Sequence, residues 1–392
     1  MASGQLERLK TGIQEQVDGD IQEIMDLSFR IYRNPEVSWE EVHASSWLAD
    51  YLEKNAFKVD RSICSLRTAF RASYGQGGPV IAFIAEYDAL PDIGHACGHN
   101  IIGPVAAEAG VAAKLAADES SATVMVIGCP AEERLGGKVI MVDRGGFQGV
   151  DVAMMVHPSS SINWSGSQFM AATTLDVEFI GRSAHGARAW QGVSALAALI
   201  LAFNNINAMR LHMPDKSRVH GVITDGGKVA NVVPEHAAGK IMIRAHEDAQ
   251  LDRLCEIVLN CCEGAALATG ARLEHKWGLR VETMRSNSAL LELWSKNMEA
   301  LGRKVEERDE IKYPSASSDI ANVSVVVPAI HPFIAISSKE IASHTPEFAA
   351  ASDPHLAKQA LVDGAKALAM TAADVMAQPE ALLRIKKEFM QK

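Results

Sequence analysis

Val80-Ile-Ala-Phe-Ile-Ala-Glu-Tyr-Asp-Ala-Leu-Pro-Asp-Ile-Gly-His-Ala-Cys-Gly-His-Asn100 joins an unbroken apolar run to a loop dense in side chains that can bind a metal. Six apolar residues in a row, with no polar face, read as a strand covered on both sides. Outward from this stretch the pattern repeats. Residues 104–117 read as a small-residue helix, and residues 123–127 and 152–156 as two further buried strands. Such alternation predicts an α/β fold with a mostly parallel central sheet and helices on both faces. Polar motifs follow each of these strands at its carboxyl end, where open sheets of this kind bind ligands.

Upstream, residues 20–32 place Ile21, Ile24, Met25, Ser28, Ile31 and Tyr32 on one helical face, and Asn34-Pro35 stops that helix. Ser38-Trp-Glu-Glu41 has the spacing of a capping box and opens a second helix toward Asn55. Two helices are therefore expected before the first strand.

The pattern changes near Ala172. Residues 173–180 alternate as a half-buried strand, residues 192–209 form an apolar helix, residues 220–224 and 240–245 read as strands, and residues 251–268 form an amphipathic helix. This β-α-β-β-α order describes a small antiparallel α+β domain. The α/β pattern then resumes with a helix at 289–301, the segment 315–324, a strand at 330–336 and a final helix at 354–376. The expected organisation is a catalytic domain of residues 1–171 and 283–392, with residues 172–282 inserted.

A chain of 392 residues is long enough for two cores, and 48% hydrophobic with 22% charged residues is ordinary for a folded protein. The net charge of -10 argues against nucleic acid or an anionic membrane as a partner. The amino-terminal residues lack the features of a signal peptide, no apolar run spans a bilayer, and six cysteines do not make a disulfide framework, so a cytoplasmic location is expected.

Four short motifs carry the chemistry: Cys97-Gly98-His99, Glu132-Glu133, His157 and His344. Adjacent acids after a buried strand point in different directions, so one can bind a metal while the other faces the reacting water. Cysteine and histidine two residues apart can converge on one ion. Asp88 is placed to orient a ligating imidazole. Each motif alone also has an ordinary structural reading: a solvated acidic turn, a small buried thiol, a structural histidine. Together they make a hydrolytic metal site. In the insertion, His185 and Asn231 lie in glycine-punctuated segments and can donate hydrogen bonds to an oxyanion, while Arg244 can pair with a carboxylate.

The ordered set Tyr87-Asp88-Ala-Leu-Pro, His95-Ala-Cys97-Gly-His99-Asn, Pro130-Ala-Glu132-Glu133, His157-Pro, Ser183-Ala-His185-Gly-Ala, Asn231-Val-Val-Pro and His344-Thr resembles the di-metal amidohydrolases of metallopeptidase family twenty. Residues 317–332 further resemble the branch of aminobenzoyl-glutamate hydrolases and β-alanyl-lysine dipeptidase-like proteins. The resemblance covers nearly the whole chain. It implies a zinc-peptidase-like catalytic domain with an inserted, ferredoxin-like dimerisation lid. It also implies that Cys97, His99, Glu133, His157 and His344 bind two divalent ions, zinc or manganese, that Glu132 is the general base, and that His185 serves the partner subunit's site. In Glu86 the chain departs from distant members of the family, many of which have a ligating histidine there.

The expected activity is hydrolysis of an amide in an N-acyl or N-aroyl amino acid or a similar small carboxylate. A dipeptidase is the alternative within the enzyme class, and a non-catalytic binding or assembly protein is the alternative outside it.

Overall fold

The computed structural model describes residues 3–134, 136–166, 168–307 and 316–391. The chain forms two compact units, Met1–Gln168 with Met284–Lys392, and Phe169–Thr283.

The first unit begins with three helices, α1 (Ser3–Gly19), α2 (Ile21–Arg33) and α3 (Val42–Lys54), one more than the sequence reading expected. The extra helix α1 buries Leu6, Leu9, Ile13 and Val17, a three-to-four-residue spacing that places them on one face. Each such side chain contributes roughly 1.5–3 kcal/mol when fully buried. Strands β1 (Lys58–Arg61) and β2 (Phe70–Gly75) also precede β3 (Val80–Ala85). Then come α4 (His99–Ser120), β4 (Thr123–Gly128), α5 (Gly137–Asp143), β5 (Val152–Met154), β6 (His157–Ser159) and β7 (Asn163–Trp164).

The second unit holds β8 (Ala171–Ile180), α6 (Ala195–Met209), β9 (Arg218–Asp225), β10 (His236–Ala245), α7 (Asp248–Thr269) and β11 (Arg272–Trp277). Its four strands lie in the order β11-β8-β10-β9 and all pair antiparallel. Leu175, Val177, Phe179, Ile241 and Ile243 from the sheet share a core with Leu199 and Ala202 of α6 and Leu251, Leu254 and Val258 of α7. The sequence reading missed β11, an edge strand with mostly exposed side chains.

The chain returns to the first unit with α8 (Ser288–Ala300), β12 (Val305–Glu306), α9 (Ile320–Ser324), β13 (Ala329–Ile330), β14 (Phe333–Ala335), α10 (Pro346–Ala351), α11 (Lys358–Ala377) and α12 (Pro379–Gln391). Of the segment expected at 315–324, Ser315 lies outside the described residues. The single strand expected at 330–336 is two pieces divided around His331 and Pro332, because β13 pairs with β5 and β14 with β6. The helix expected to be final is followed by α12, whose one buried residue, Ile385, left little apolar pattern to read.

The main sheet runs β1-β2-β4-β3-β5-β13, parallel from β4 through β13 and antiparallel at the β1-β2-β4 edge. This is the α/β architecture with a mostly parallel central sheet that the alternating pattern predicts. Helices α4 and α11 are buried along almost their whole length, and their alanine-rich faces let them pack closely. The carboxyl ends of β3, β4 and β5 open toward the same loops.

Candidate metal centre

Three consecutive sheet positions deliver the polar side chains. The chain leaves β3 into Glu86 and Asp88, leaves β4 into Pro130-Ala131-Glu132-Glu133, and leaves β5 toward His157. Although the motif Cys97-Gly98-His99 reads as a loop, His99 is the first residue of α4. Gly98 has φ +80°, and a Cβ there would sit 2.8 Å from Pro158 Cγ, so only glycine lets this turn press against the His157 segment. The backbone N–H of His344 donates to Ala96 O at 2.9 Å, which ties a residue from far along the chain to the same turn.

All five expected ligands and the expected base converge. Cys97, His99 and His157 form one group of donor atoms, Cys97, Glu133 and His344 a second, and His99, Glu132 and Glu133 a third, with the atoms of each group within 4.8 Å of one another. His99 Nε2 lies 3.8 Å from Glu133 Oε1 and 3.9 Å from Glu132 Oε2, and His344 Nε2 lies 3.6 Å from Glu133 Oε2. Among the described residues, His99 Nε2 and Glu133 Oε1 are buried without a hydrogen-bond partner of good geometry. Leaving such atoms orphaned is costly, and a divalent cation would satisfy both. Shared thiolate, imidazole and carboxylate donors in overlapping groups fit a pair of such ions.

Asp88 organises the site from behind. Its Oδ1 accepts from His99 Nδ1 at 2.9 Å, which aims Nε2 at the other donors. Its Oδ2 accepts from Ser38 Oγ at 2.7 Å and from the Glu133 N–H at 3.0 Å. Burial would raise the Asp88 carboxyl, but the His99 hydrogen bond and charge outweigh it and hold the group down at about 2. Burial draws His157 down to about 4, keeping it neutral and able to ligate. Burial, and then the nearby Glu86 and Asp319 carboxylates, hold Glu132 well above the usual carboxylate range, making it a stronger proton acceptor.

The sequence reading missed a second support. Ser38 and Glu41 do not close a capping box; Ser38 is spent on Asp88, and Glu41 on donors of Trp39, Thr68 and Ala131. Glu41 Oε1 accepts from the Trp39 and Ala131 N–H groups, each at 2.8 Å, and its Oε2 accepts from Thr68 Oγ1 at 3.0 Å. Ala131 sits at φ +57°, an uncommon conformation for a residue with a Cβ, immediately before Glu132. A wholly buried carboxylate thus pins the turn that presents the acidic pair.

A third missed feature is Lys138, in the first turn of α5 and fully buried. Its ammonium lies 2.8 Å from Glu86 Oε1 and hydrogen-bonds Asp319 Oδ1, while its backbone N–H donates to Asp319 Oδ2 at 2.9 Å. Burial opposes the charge on Lys138, but the two carboxylates overcome it and hold the ammonium protonated. Gly137 makes this approach possible, because a Cβ there would fall 1.6 Å from Pro130 O.

In the second unit, His185 and Asn231 are brought together: the Gly186 N–H donates to Asn231 O at 2.7 Å, and His185 Nδ1 accepts from the Ala187 N–H at 3.1 Å. Both side chains are exposed. Arg244 is not with them. It pairs with Ala172 and Arg218 at the far end of β10, whereas His236, at the near end, pairs with Ile180, just before the His185 loop. Eight residues of strand separate the two ends, roughly 26 Å. Arg244 is half-buried, its Nε has no partner, and it makes no ion pair among the described residues.

The peptidase dimerisation domain profile matches residues 171–269. The Xaa-Arg dipeptidase of Homo sapiens is 35% identical over 98% of this chain and 93% of its own length. The p-aminobenzoyl-glutamate hydrolase of Escherichia coli contains a polypeptide that is 33% identical over 71% of this chain and 62% of its own length. A solved dinuclear metal-binding peptidase of the M20 family from Bacillus subtilis superposes with a TM-score of 0.68 at 18% identity, covering 92% of this chain and 99% of that one. With the full-length relationship to the dipeptidase, the dimerisation domain in the insertion and the donor cluster at the sheet's carboxyl edge, the chain belongs to the M20 family of hydrolytic metallopeptidases and amidohydrolases.

Proposed function

We propose that this chain hydrolyses the amide bond of a small substrate carrying a free α-carboxylate, with Glu132 as general base. The observation that carries the reading is the buried, unpartnered His99 Nε2 facing the Glu132-Glu133 pair. Cys97, His99, Glu133, His157 and His344 would hold two divalent ions, zinc or manganese. Bound there, the ions would supply Lewis acidity toward the scissile carbonyl and toward water. Glu132, made basic by its burial, takes a proton from the attacking water and returns it to the leaving nitrogen. Asp88 holds His99 in one tautomer and fixes the Glu133 backbone. His185 and Asn231 donate to the developing oxyanion.

A dipeptide spans about 7 Å. The roughly 26 Å of strand between the His185 end and Arg244 exceeds that span, which supports a site completed by the His185 of a second copy, joined through the segment 172–282. Arg244, which makes no ion pair among the described residues, suits the substrate carboxylate. The full-length relationship to Xaa-Arg dipeptidases favours a dipeptide over an N-acyl amino acid.

The test is turnover by the metal-loaded protein on dipeptides, N-acyl amino acids and aminobenzoyl-glutamate, each with its carboxyl-blocked form, alongside Glu132→Gln. We expect cleavage of free-carboxylate substrates only, and a loss in kcat of at least about 10³-fold in the variant with unchanged metal content. Substantial activity in Glu132→Gln would end the assignment of the base.

A further inference from the structure

Among the described residues, Glu86 is the carboxylate beside His99 given neither a ligand nor a proton-transfer role. It follows β3 directly, is fully buried, and places Oε2 3.7 Å from His99 Nε2, as close as Glu132 or Glu133. Yet Glu86 belongs to none of the three groups of convergent donors found among the described residues. Its other oxygen faces the Lys138 ammonium at 2.8 Å, and neither oxygen has a hydrogen bond of good geometry among the described residues.

We propose that Lys138 and Asp319 form a buried latch that withholds Glu86 from the metal centre. The inference rests on the metal reading given above. Burying an ammonium is expensive unless carboxylates surround it, so Lys138 is not filling space that a neutral side chain would leave empty. Asp319 holds it in place by two contacts, one to the ammonium and one to the Lys138 backbone. Lys138 in turn attracts Glu86, whose second oxygen remains within reach of the donors. A sixth anionic or imidazole donor would lower the positive charge available to polarise a carbonyl. The latch keeps that donor occupied.

Replacing Lys138 and Asp319 together by Met and Asn removes one positive and one negative charge, so the local net charge is unchanged while Glu86 is set free. Zinc affinity is measured by competition with a chromophoric chelator for wild type, Glu86→Gln, Lys138→Met/Asp319→Asn and the triple variant, with thermal melting to check folding. We expect Glu86→Gln alone to change affinity less than about threefold. The double variant should bind zinc about tenfold more tightly, within the range by which neighbouring groups tune metal sites, and adding Glu86→Gln should cancel the gain. A merely structural latch predicts the opposite sign, since loosening the site weakens binding. Equal or weaker binding by a folded double variant overturns the proposal. Should the double variant not fold, the visible spectrum of the cobalt-loaded Glu86→Gln protein decides: a spectrum like wild type supports withholding, and a shifted one shows Glu86 already ligating. If wild type binds no zinc or cobalt, the metal reading itself is what fails.

Discussion

Glu41 supplies a direct test of how the acidic pair is held. In Glu41→Ala the N–H groups of Trp39 and Ala131 and the hydroxyl of Thr68 lose their acceptor. At about 1–3 kcal/mol for each buried orphan, and allowing for local relaxation, this costs roughly 3–6 kcal/mol. Against it stands the desolvation of the carboxylate, which pushes Glu41 up to about 6 from an ordinary 4.5. That shift corresponds to about 2 kcal/mol, recovered on deletion at pH 8. Glu41→Gln separates the two effects. Its carbonyl oxygen still accepts from both N–H groups, and the Thr68 hydroxyl can turn to accept from the amide. Because the folded-state value is raised, the contribution of Glu41 to stability is fully present below pH 4.5 and is lost as pH rises through about 6. The Gln variant should therefore match wild type near pH 4.5 and be about 2 kcal/mol more stable than it by pH 7.5, whereas the Ala variant stays roughly 1–4 kcal/mol less stable even at pH 8. Urea unfolding at the two pH values measures this. Freed at φ +57°, Ala131 should relax and displace Glu132, and a shift near 1 Å lowers kcat by about 10²-fold in Glu41→Ala. An Ala variant that keeps wild-type stability and kcat within twofold would show that these hydrogen bonds do not position the turn.

Removal of metal with a chelator should abolish turnover, and zinc or manganese should restore it; activity that survives at undetectable metal content would contradict the mechanism. Cys97→Ser and His344→Ala should each lower metal occupancy, and two ions retained by both variants would remove these residues from the ligand set. Glu108, which accepts from Tyr51 Oη, is raised to about 8 chiefly by burial. Its stabilising contribution is present below pH 4.5 and lost as pH rises through about 8, so Glu108→Gln should flatten the decline in melting temperature between pH 5 and 9, and an unchanged slope would contradict the assignment. Gly137→Ala should destabilise the fold by several kcal/mol and reduce kcat together, because its Cβ would meet Pro130 O; normal melting and activity would show that the turn can yield freely.

What the sequence revealed depended on how many faces of an element are covered. Val80–Ala85 and the strands beside it were legible because burial on both sides leaves continuous apolar runs. Strand β1 was not, since Lys58, Asp60 and Arg61 are exposed at the sheet's edge. The donor residues were legible because each follows a strand or sits in a compact motif. Their supports were not. Ser38 and Glu41 have the spacing of a helix cap, and spacing does not reveal that their side chains bond to Asp88 and Ala131 instead. Lys138 looks like an exposed cation on a helix, and only the packed structure shows the two carboxylates that let it be buried.

The tether from His344 to Ala96 gives the site a history during synthesis. Glu86 through His157 leave the ribosome early, while His344 follows roughly 190 residues later, after the whole of the second unit. At about 5–20 residues per second this is roughly 10–40 s in which the nascent chain carries most of its donors without the last. A thiol and two carboxylates are exposed to whichever ions are abundant during that interval. Were the proposed site to load during that interval, its first ions would be set by the order of translation, so metal content is best compared after the folded protein has been stripped and reloaded.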